Sequence, residues 1–317
     1  MRILITGVTG FIGTNTALNL LKKKHIIYGL DNFDEFNSIK LKKFRLSKLK
    51  KFKNFNFKKI DITNKKSLDN FISICKVDMI IHLAGQAGVR YSYLNPSKYV
   101  SSNILGFLNL VFSAKKNRIK RIIYASSSSV YGNSKKFPLK ENQELNQINI
   151  YAVTKMLNEK IAQTYSKISN IRFIGLRFFT IYGEYGRPDM FLFKMFKSSI
   201  TKKKFYLNNH GNHERDFTYV NDVSLIIEKL LTKRLTSNII FNICSNNPEN
   251  ILKITKLFKK KNDLKIKYIK KHKADILKTH GDNTKLKRTI KFKNFSNFKD
   301  NIFKLYKWYQ ENNISKL

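Results

Sequence analysis

The segment "ITGVTGFIGTN" (residues 5–15) decides the fold, because it joins a short apolar run to a helical pattern through three glycines. Gly7, Gly10 and Gly13 stand three residues apart between "RILIT" (2–6) and "FIGTNTALNLLKKK" (11–24). Small residues at such a turn let the backbone approach a pyrophosphate, whose charge the helix N-terminus stabilises. A glycine triplet alone is also consistent with a simple tight turn, so the next strand has to separate the two interpretations.

The second apolar run, "IIYGLD" (26–31), ends on an acidic residue, Asp31, 18 residues after Gly13. A carboxylate at this place accepts hydrogen bonds from the adenosine ribose, so the pattern predicts a dinucleotide-binding unit. Its negative charge repels a 2′-phosphate and favours NAD over NADP. The basic segment that begins at Lys40 acts in the opposite direction and leaves NADP as the alternative.

The rest of the chain alternates short apolar runs with helical patterns, which predicts an α/β fold with a doubly wound, parallel, Rossmann-type sheet. Further strands are expected at 56–62, 77–85, 121–127 and 171–178, and helices at 64–75, 96–117 and 150–168. Beyond residue 183 the alternation loosens, and "KKFYLNNHGNHERDFTYV" (203–220) resembles a hairpin. We therefore predict a cofactor domain over 1–183 and a smaller, interleaved C-terminal substrate-binding region over 184–317.

Composition limits the classes of function. The chain has 317 residues, 42% of them apolar, with no apolar run approaching 18 residues, so we expect a cytoplasmic protein without membrane insertion. The net charge of +41 comes mostly from scattered lysines, accompanied by abundant Asn, Ile, Phe and Tyr, which is typical of AT-rich codon usage. We expect no specific nucleic-acid partner. Cys75 and Cys244 form no metal-binding pattern, so no metal is predicted.

Two further motifs carry candidate catalytic groups. "YAVTK" (151–155) places Tyr151 and Lys155 on one face of a helix. A cationic Lys155 would lower the pKa of the Tyr151 phenol from about 10 toward neutrality and make it a usable base; the alternative is a buried tyrosine beside a solvated lysine. "YASSSSVYG" (124–132) follows an apolar strand, so its hydroxyls lie where open α/β sheets bind ligands.

With these motifs in place, the sequence resembles the extended short-chain dehydrogenase/reductase family, marked by TGxxGxxG and by YxxxK with an upstream Ser or Thr. Within it, four segments are similar to UDP-glucuronate 4-epimerases: "HLAGQAGVRYSYLNPSKYVSSNILGFLNL", "YASSSSVYG", "LRFFTIYGEYGRPDM" and "RDFTYVNDV". The similarity runs from residue 1 to about 224 and then thins to short pieces that include Asp275 and Asp282.

The resemblance implies conversion of UDP-glucuronate to UDP-galacturonate through a transient 4-keto sugar, with NAD as a bound cofactor and a homodimer as the assembly. It assigns Tyr151 as the acid/base, Lys155 as its partner on the nicotinamide ribose, Ser127 as a donor to the reacting oxygen and Asn103 as an organising residue. The implied cofactor contacts are Gly7, Gly10, Phe11, Ile12, Gly13, Asp31, Asn32, Asp61, Ile62, Leu83, Ala84, Asn103, Tyr151 and Lys155.

The serine run has a specific expected task. A 4-keto uronic acid is a β-keto acid that readily loses carbon dioxide, so an epimerase has to hold its carboxylate away from the cleavage geometry. Neutral donors suit that task, and we expect them from Ser127, Ser128, Ser129 and Thr180. Further contacts to the diphosphate or the uronate are expected from Arg90, Arg187 and Arg215.

Three alternatives remain at this stage. A UDP-glucose/galactose-type epimerase and a UDP-glucuronate decarboxylase share the same motifs. Ser129 stands where related decarboxylases and dehydratases carry a Glu, and with the hydroxyl cluster it weighs against both. A catalytically silent NAD-binding regulatory protein is the third alternative. The intact set of Tyr151, Lys155 and Ser127 weighs against it.

Overall fold

The computed structural model describes residues 1–36, 38–235, 238–271 and 276–317, so Asp275 lies outside the described residues. The strands are β1 Arg2–Thr6, β2 Ile26–Asp31, β3 Phe55–Lys59, β4 Met79–His82, β5 Arg121–Ser127, β6 Arg172–Phe178, β7 Thr180–Tyr182, β8 Phe205–Asn208, β9 Glu214–Tyr219, β10 Asn238–Ile243, β11 Pro248–Asn250 and β12 Ile266–Ile269. The α-helices are α1 Phe11–Lys22, α2 Ile39–Leu49, α3 Lys65–Cys75, α4 Val89–Leu94, α5 Pro96–Tyr99, α6 Gly106–Lys116, α7 Ile150–Ile168, α8 Phe191–Ile200, α9 Val220–Thr232, α10 Ile251–Lys259, α11 Thr284–Ile290 and α12 Phe298–Glu311.

Within the described chain, the main sheet has seven strands in the order β10-β6-β5-β4-β1-β2-β3. All of its pairings are parallel. The order reverses between β1 and β4, and ligands of open α/β sheets bind at the carboxyl ends of the strands at such a reversal. The predicted doubly wound parallel fold is confirmed. The seventh strand, β10, comes from the C-terminal part and was not expected from the sequence.

Both faces of the sheet are buried, which explains why β1 is continuously apolar. Ile3 and Ile5 join one hydrophobic cluster with α1 and α9, whereas Leu4 points to the other, which includes α3 and α6. A third cluster belongs mostly to the C-terminal part and is rich in aromatic residues such as Phe196 and Phe258. The C-terminal part therefore has packing of its own and also contributes α9 and β10 to the sheet.

The expected hairpin over 203–220 is wrong. β8 and β9 do not pair with each other: β8 pairs with β12 in parallel, and β9 lies between β7 and β11. Five residues separate the two strands, and Asn209, His210 and Gly211 among them have positive φ, so the chain turns away instead of folding back. Alternating hydrophobicity identified the strands but not their partners.

The helix expected at 96–117 is present in three pieces. Pro96–Tyr99 is α-helical, Val100–Leu105 forms a π-helical turn, and α6 follows. Such turns are frequent at functional sites because they displace a side chain from its regular position. None of the helices in the described residues is both long enough and apolar enough to cross a membrane.

Candidate active site

A groove of about 660 Å³ opens at the carboxyl ends of β1, β2 and β4, at the reversal of strand order. It brings together many of the predicted cofactor contacts, namely Gly7, Gly10, Asp31, Asn32, Asp61, Ile62, Leu83 and Ala84. It is also lined by residues that sequence reasoning did not select, among them Asp34, Phe36, Lys42, Gln86 and Ser102. Of the other predicted contacts, Phe11, Ile12 and Gly13 form the first turn of α1.

The glycines shape one end of this groove in different ways. Gly7 has a φ of +67°, and a Cβ there would lie 2.7 Å from the backbone nitrogen of Ala84. Gly13 packs against the carbonyl oxygen of Gly7. A Cβ at Gly10 would meet that oxygen at 2.9 Å and nothing else closer than 3.9 Å, so Gly10 leaves its other side open to the groove. Helix α1 begins here without a side-chain cap, so its first N–H groups are available to an anion. The residues present fit a dinucleotide pyrophosphate.

At the other end of the groove, Asp31 and Asp61 are held by neighbours. The Asp31 carboxylate accepts a hydrogen bond from the backbone nitrogen of Phe33 at 2.9 Å and pairs with Lys42 at 3.1 Å. Asp61 accepts hydrogen bonds from Asn32 and Thr63. Burial would raise the pKa of Asp61, but these hydrogen bonds outweigh it and lower the pKa. The side chains of Asp31 and Asp61 therefore line this end of the groove.

Between β1 and β4, a buried histidine supports the floor of the groove. Thr6 and His82 share a hydrogen bond of 2.8 Å between Oγ1 and Nδ1, and the Thr6 hydroxyl also accepts from the nitrogens of Leu83 and Ala84. Burial, followed by the charge of Lys155, lowers the pKa of His82 to about 3. His82 is therefore neutral at physiological pH and acts as a packing residue beside the groove.

Asn103 lies in the π-helical turn and connects three segments. Its amide nitrogen donates to the Gln86 carbonyl oxygen at 3.1 Å and to the Thr154 hydroxyl at 3.0 Å, and its Oδ1 accepts from the Gln86 nitrogen at 2.7 Å. The loop after β4, the π-helical turn and the start of α7 are thereby fixed to one another. This geometry fits the organising role expected for Asn103.

The hydroxyl, phenol and amine predicted as catalytic groups meet where β5 ends and α7 begins. The Ser127 hydroxyl lies close enough to Tyr151 to lower its pKa, and Lys155 donates from Nζ to the Ala125 carbonyl oxygen at 3.0 Å. The Lys155 Nζ lies 6.0 Å from the Tyr151 ring centroid. Asn149 caps α7 by accepting from the nitrogen of Ala152, which fixes where the helix starts and so where Tyr151 lies. The fold therefore brings Ser127 and Tyr151 together, although 24 residues separate them in the sequence.

The tuning of Tyr151 differs from the sequence-based expectation. Burial raises the pKa of Tyr151, and the factors that oppose this are the Ser127 hydrogen bond and the charge of Arg187, not Lys155. Burial also lowers the pKa of Lys155 to about 8. The reason is that desolvation disfavours the charged form of both groups. Lys155 is thus a weakened cation, and its charge is not among the causes that shift the pKa of Tyr151.

The four serines do different things. Ser127 accepts from the nitrogen of Ser129 and donates to its hydroxyl, both at 3.1 Å. Ser126 instead points below the site and donates to Glu159 at 2.5 Å. Ser128 is partly exposed at the start of a 3₁₀ turn, Ser128–Tyr131. Ser126 therefore contacts the buried Glu159, whereas Ser127 and Ser129 bind each other where β5 ends.

Sequence reasoning missed the charged network beneath the serines. Arg177 on β6 binds Glu159 through two hydrogen bonds of 2.9 and 2.8 Å, and both side chains are almost completely buried. Arg177 also donates to the Tyr131 hydroxyl at 2.8 Å, which donates to Asn242 on β10 at 2.7 Å. One signal was available: Glu159 lies two helical turns after Tyr151 and one after Lys155, on the same face of α7.

The predicted substrate contacts are not all in one place. Arg187 is close enough to the centre for its charge to affect Tyr151, lies 5.8 Å from the Phe36 ring, and is paired with Asp189 through hydrogen bonds of 2.9 and 2.5 Å. Thr180 borders an apolar pocket beside the start of α8. Arg215 donates to the carbonyl oxygens of residues 214, 276 and 277, and Arg90 is exposed on α4.

No group of side chains suited to a metal ion occurs among the described residues. Buried Cys75 and Cys244 are free thiols.

The chain is similar to known proteins over nearly its whole length. The chain is 37% identical to the Staphylococcus aureus protein CapI, with 98% of this chain and 99% of that protein covered. It is 35% identical to UDP-glucuronate 4-epimerase 4 of Arabidopsis thaliana, with 97% and 75% covered. The solved UDP-glucuronic acid 4-epimerase of Bacillus cereus, in complex with UDP-glucuronic acid and NAD, superimposes with a TM-score of 0.91 at 27% identity, over 98% of this chain and 99% of that one.

A profile of the NAD dependent epimerase/dehydratase family matches residues 3–244, which contain both the groove and the Ser127, Tyr151 and Lys155 centre. With that match and those relatives, the chain belongs to the NAD dependent epimerase/dehydratase family.

Proposed function

We propose that this protein is an NAD-dependent 4-epimerase that converts UDP-glucuronate to UDP-galacturonate. The observation that carries the proposal is the meeting of Ser127, Tyr151 and Lys155 at the end of β5, beside a groove that fits a dinucleotide. The identity of about one third to UDP-glucuronate 4-epimerases over nearly the whole chain supports the choice of sugar.

NAD would be held in the groove and would supply reversible hydride transfer at C4 of the sugar, which has to turn over between removal and return of the hydride. Tyr151 takes the proton of the C4 hydroxyl and later gives it back, and Ser127 holds the same oxygen. Lys155 binds the nicotinamide ribose and keeps a positive charge near the phenol. The groove residues Gly10, Asp31 and Asp61 hold the pyrophosphate and adenosine, so the cofactor stays in place through each cycle.

The carboxylate of the sugar is held by neutral donors and one cation. Ser128 and Ser129, in the 3₁₀ turn after β5, and Thr180 on β7 supply hydroxyls. Arg187 is the cation, and its charge is close enough to influence Tyr151. When the uronate binds, the Arg187 guanidinium is shared between the uronate and Asp189. Ser129, with a hydroxyl where a Glu would repel this carboxylate, favours epimerisation over decarboxylation. Arg215 and Arg90 contact the diphosphate or the uronate.

The assembly is a homodimer. Large apolar side chains are exposed on α4, the π-helical turn, α6 and α7: Tyr93, Leu94, Val100, Leu105, Phe112, Ile150 and Ile168. A second copy that pairs the same helices would cover them through a two-fold interface. Leu105→Glu is expected to shift the protein to monomers in light scattering, whereas a Leu277→Glu control, at an exposed leucine outside these helices, should not.

Residues 1–183 form the cofactor domain and residues 184–317 mainly the substrate region, which fits the third hydrophobic cluster being separate although α9 and β10 return to the sheet. The location is cytoplasmic, in line with two buried free thiols and no disulfide among the described residues.

The direct test is incubation of the purified protein with UDP-glucuronate, followed by separation of the nucleotide sugars. UDP-galacturonate is the expected product. UDP-pentose with carbon dioxide would instead assign a decarboxylase. Conversion of UDP-glucose in preference to UDP-glucuronate would assign a UDP-glucose-type epimerase. No conversion of either sugar by folded, NAD-loaded protein would favour the regulatory alternative.

A further inference from the structure

Helix α2 carries two cations whose burial is unexpected in so basic a segment. Most lysines of residues 40–59 are exposed or partly exposed, but Lys42 is 7% exposed and Arg45 is 1% exposed. The two are one turn apart, so they lie on the same face of α2, together with the buried Leu49. Charged side chains are rarely buried unless they are paired, so each of these cations requires a partner.

The partner of Lys42 is Asp31. The Lys42 ammonium lies 3.1 Å from Oδ1 of Asp31, and both side chains line the groove. Asp31 is the residue whose charge would reject a 2′-phosphate on the adenosine ribose. In this chain that charge is compensated by a cation that is fixed by the fold.

Arg45 has a different set of partners. Its guanidinium donates to the carbonyl oxygens of Thr9, Tyr185 and Gly186 at 3.0, 2.5 and 3.0 Å. These bonds fasten α2 to the glycine loop and to the loop before Arg187. Because those donors are occupied, Lys42 is the cation of α2 that is placed to act on the ribose end of the groove.

We propose that Lys42 is a second cofactor-selectivity residue, which sets how strongly Asp31 discriminates against NADP. With Lys42 present, the pair has no net charge, and discrimination against the 2′-phosphate depends on the hydrogen-bonding geometry of Asp31 more than on repulsion. Without Lys42, the Asp31 carboxylate faces the phosphate uncompensated. The proposal rests on NAD binding by the family site and does not depend on which sugar is epimerised.

The charge that each substitution leaves behind determines whether the ratio of Kd for NADP to Kd for NAD rises or falls. Lys42→Met leaves a lone carboxylate, so the ratio of Kd for NADP to Kd for NAD should rise by about tenfold, a modest value for unit charges a few ångströms apart at the edge of a protein. Asp31→Asn leaves a lone cation, so the ratio should fall below that of the wild type. The variant with both substitutions should lie between the two single variants. Lys43→Met, at the adjacent exposed lysine, is the matched control and should leave the ratio unchanged.

The experiment measures NAD and NADP binding to cofactor-free protein by titration calorimetry, with thermal stabilisation by each cofactor as a second readout. A ratio in Lys42→Met that is unchanged or lower than in the wild type would overturn the proposal. If Lys42→Met does not fold, Asp31→Asn is compared with the double variant. Loss of Lys42 must then weaken the binding of NADP more than the binding of NAD. Equal weakening of both would overturn the proposal. Failure of sugar epimerisation with an intact NAD affinity would count against the proposed function only.

Discussion

The cofactor groove and the proposed reaction centre lie on the same edge of one sheet but differ in what forms them. The groove, at the ends of β1, β2 and β4, is shaped by backbone, since a Cβ at Gly7 would collide with the chain at Ala84. The centre, at the end of β5, depends on side chains that a buried ion pair, Glu159 and Arg177, supports from below. The groove needs β1, β2 and β4 in place, whereas the side-chain centre joins β5, β6 and α7. A substitution in one region should therefore leave the other region intact.

The largest difference between the effect on turnover and the effect on NAD binding is expected from Tyr151→Phe, which removes the phenol oxygen and leaves the groove intact. Turnover should fall by about 10²- to 10⁴-fold, because a positioned acid/base contributes that much. The Kd for NAD should change less than about threefold, a small fraction of a typical binding free energy. Steady-state kinetics with UDP-glucuronate and an NAD titration check this. Tyr165→Phe on the same helix is the control, and near-normal turnover in folded Tyr151→Phe would remove Tyr151 from its assigned role.

Arg177→Met breaks the support of the centre without touching the groove. It leaves the buried Glu159 carboxylate without its cation, at a cost of about 3 kcal/mol in the free energy of unfolding. Denaturant unfolding measures this cost. Arg172→Met, on the exposed start of the same strand, should cost less than about 0.5 kcal/mol. An equal, small effect of both substitutions on the free energy of unfolding would show that the Arg177 network does not stabilise the protein.

Lys155→Met tests whether the buried amine lowers the free energy of unfolding although turnover needs it. Because the pKa of Lys155 is lowered to about 8 by burial, the unfolded chain binds more protons than the folded one between pH 8 and about 10.5. Removal of this amine should stabilise the cofactor-free protein by about 1 to 3 kcal/mol at pH 7 while turnover is lost. The gain should shrink as the pH rises from 8 toward 10.5.

Thermal unfolding at pH 7 and pH 9.5 gives the comparison, with Lys160→Met, exposed on the same helix, as the control. A destabilised Lys155→Met, or a gain that does not depend on pH, would contradict the assignment of Lys155 as a desolvated amine.

The smallest effect is expected from Thr180→Val, which keeps the shape and deletes one donor. If Thr180 helps to hold the carboxylate, the loss should cost about 1 kcal/mol and slow epimerisation roughly fivefold. The ratio of UDP-pentose to UDP-galacturonate should rise, because the 4-keto acid reaches the cleavage geometry more often. UDP-glucose, which has no carboxylate, is the control substrate. An unchanged ratio with unchanged turnover would make Thr180 structural.

The sequence predicted the parts of the molecule that local chemistry controls. The glycine loop, Asp31 at the end of β2, and Tyr151 with Lys155 on one helix were all readable, because each depends on spacing within one element. Asn103 was assigned through family resemblance, and the π-helical turn that places it was not expected.

What the sequence did not reveal depends on contacts between distant segments. The partners of β8 and β9 follow from the packing of the C-terminal part, so alternation alone gave a false hairpin. Lys42 looked like one solvated lysine among many, and only the approach of α2 to β2 pairs it with Asp31. Glu159 and Arg177 are 18 residues apart on different elements, and nothing local marks them as a pair.

The central claim is that hydride leaves C4 and returns to C4 of the same sugar while NAD stays bound. UDP-glucuronate carrying deuterium at C4, incubated with the NAD-loaded protein, tests this most directly by mass spectrometry and NMR of the products. The account predicts UDP-galacturonate that retains the deuterium at C4, with no net consumption of NAD. UDP-galacturonate that has lost the deuterium to solvent, or labelled UDP-pentose as the main product, would contradict it.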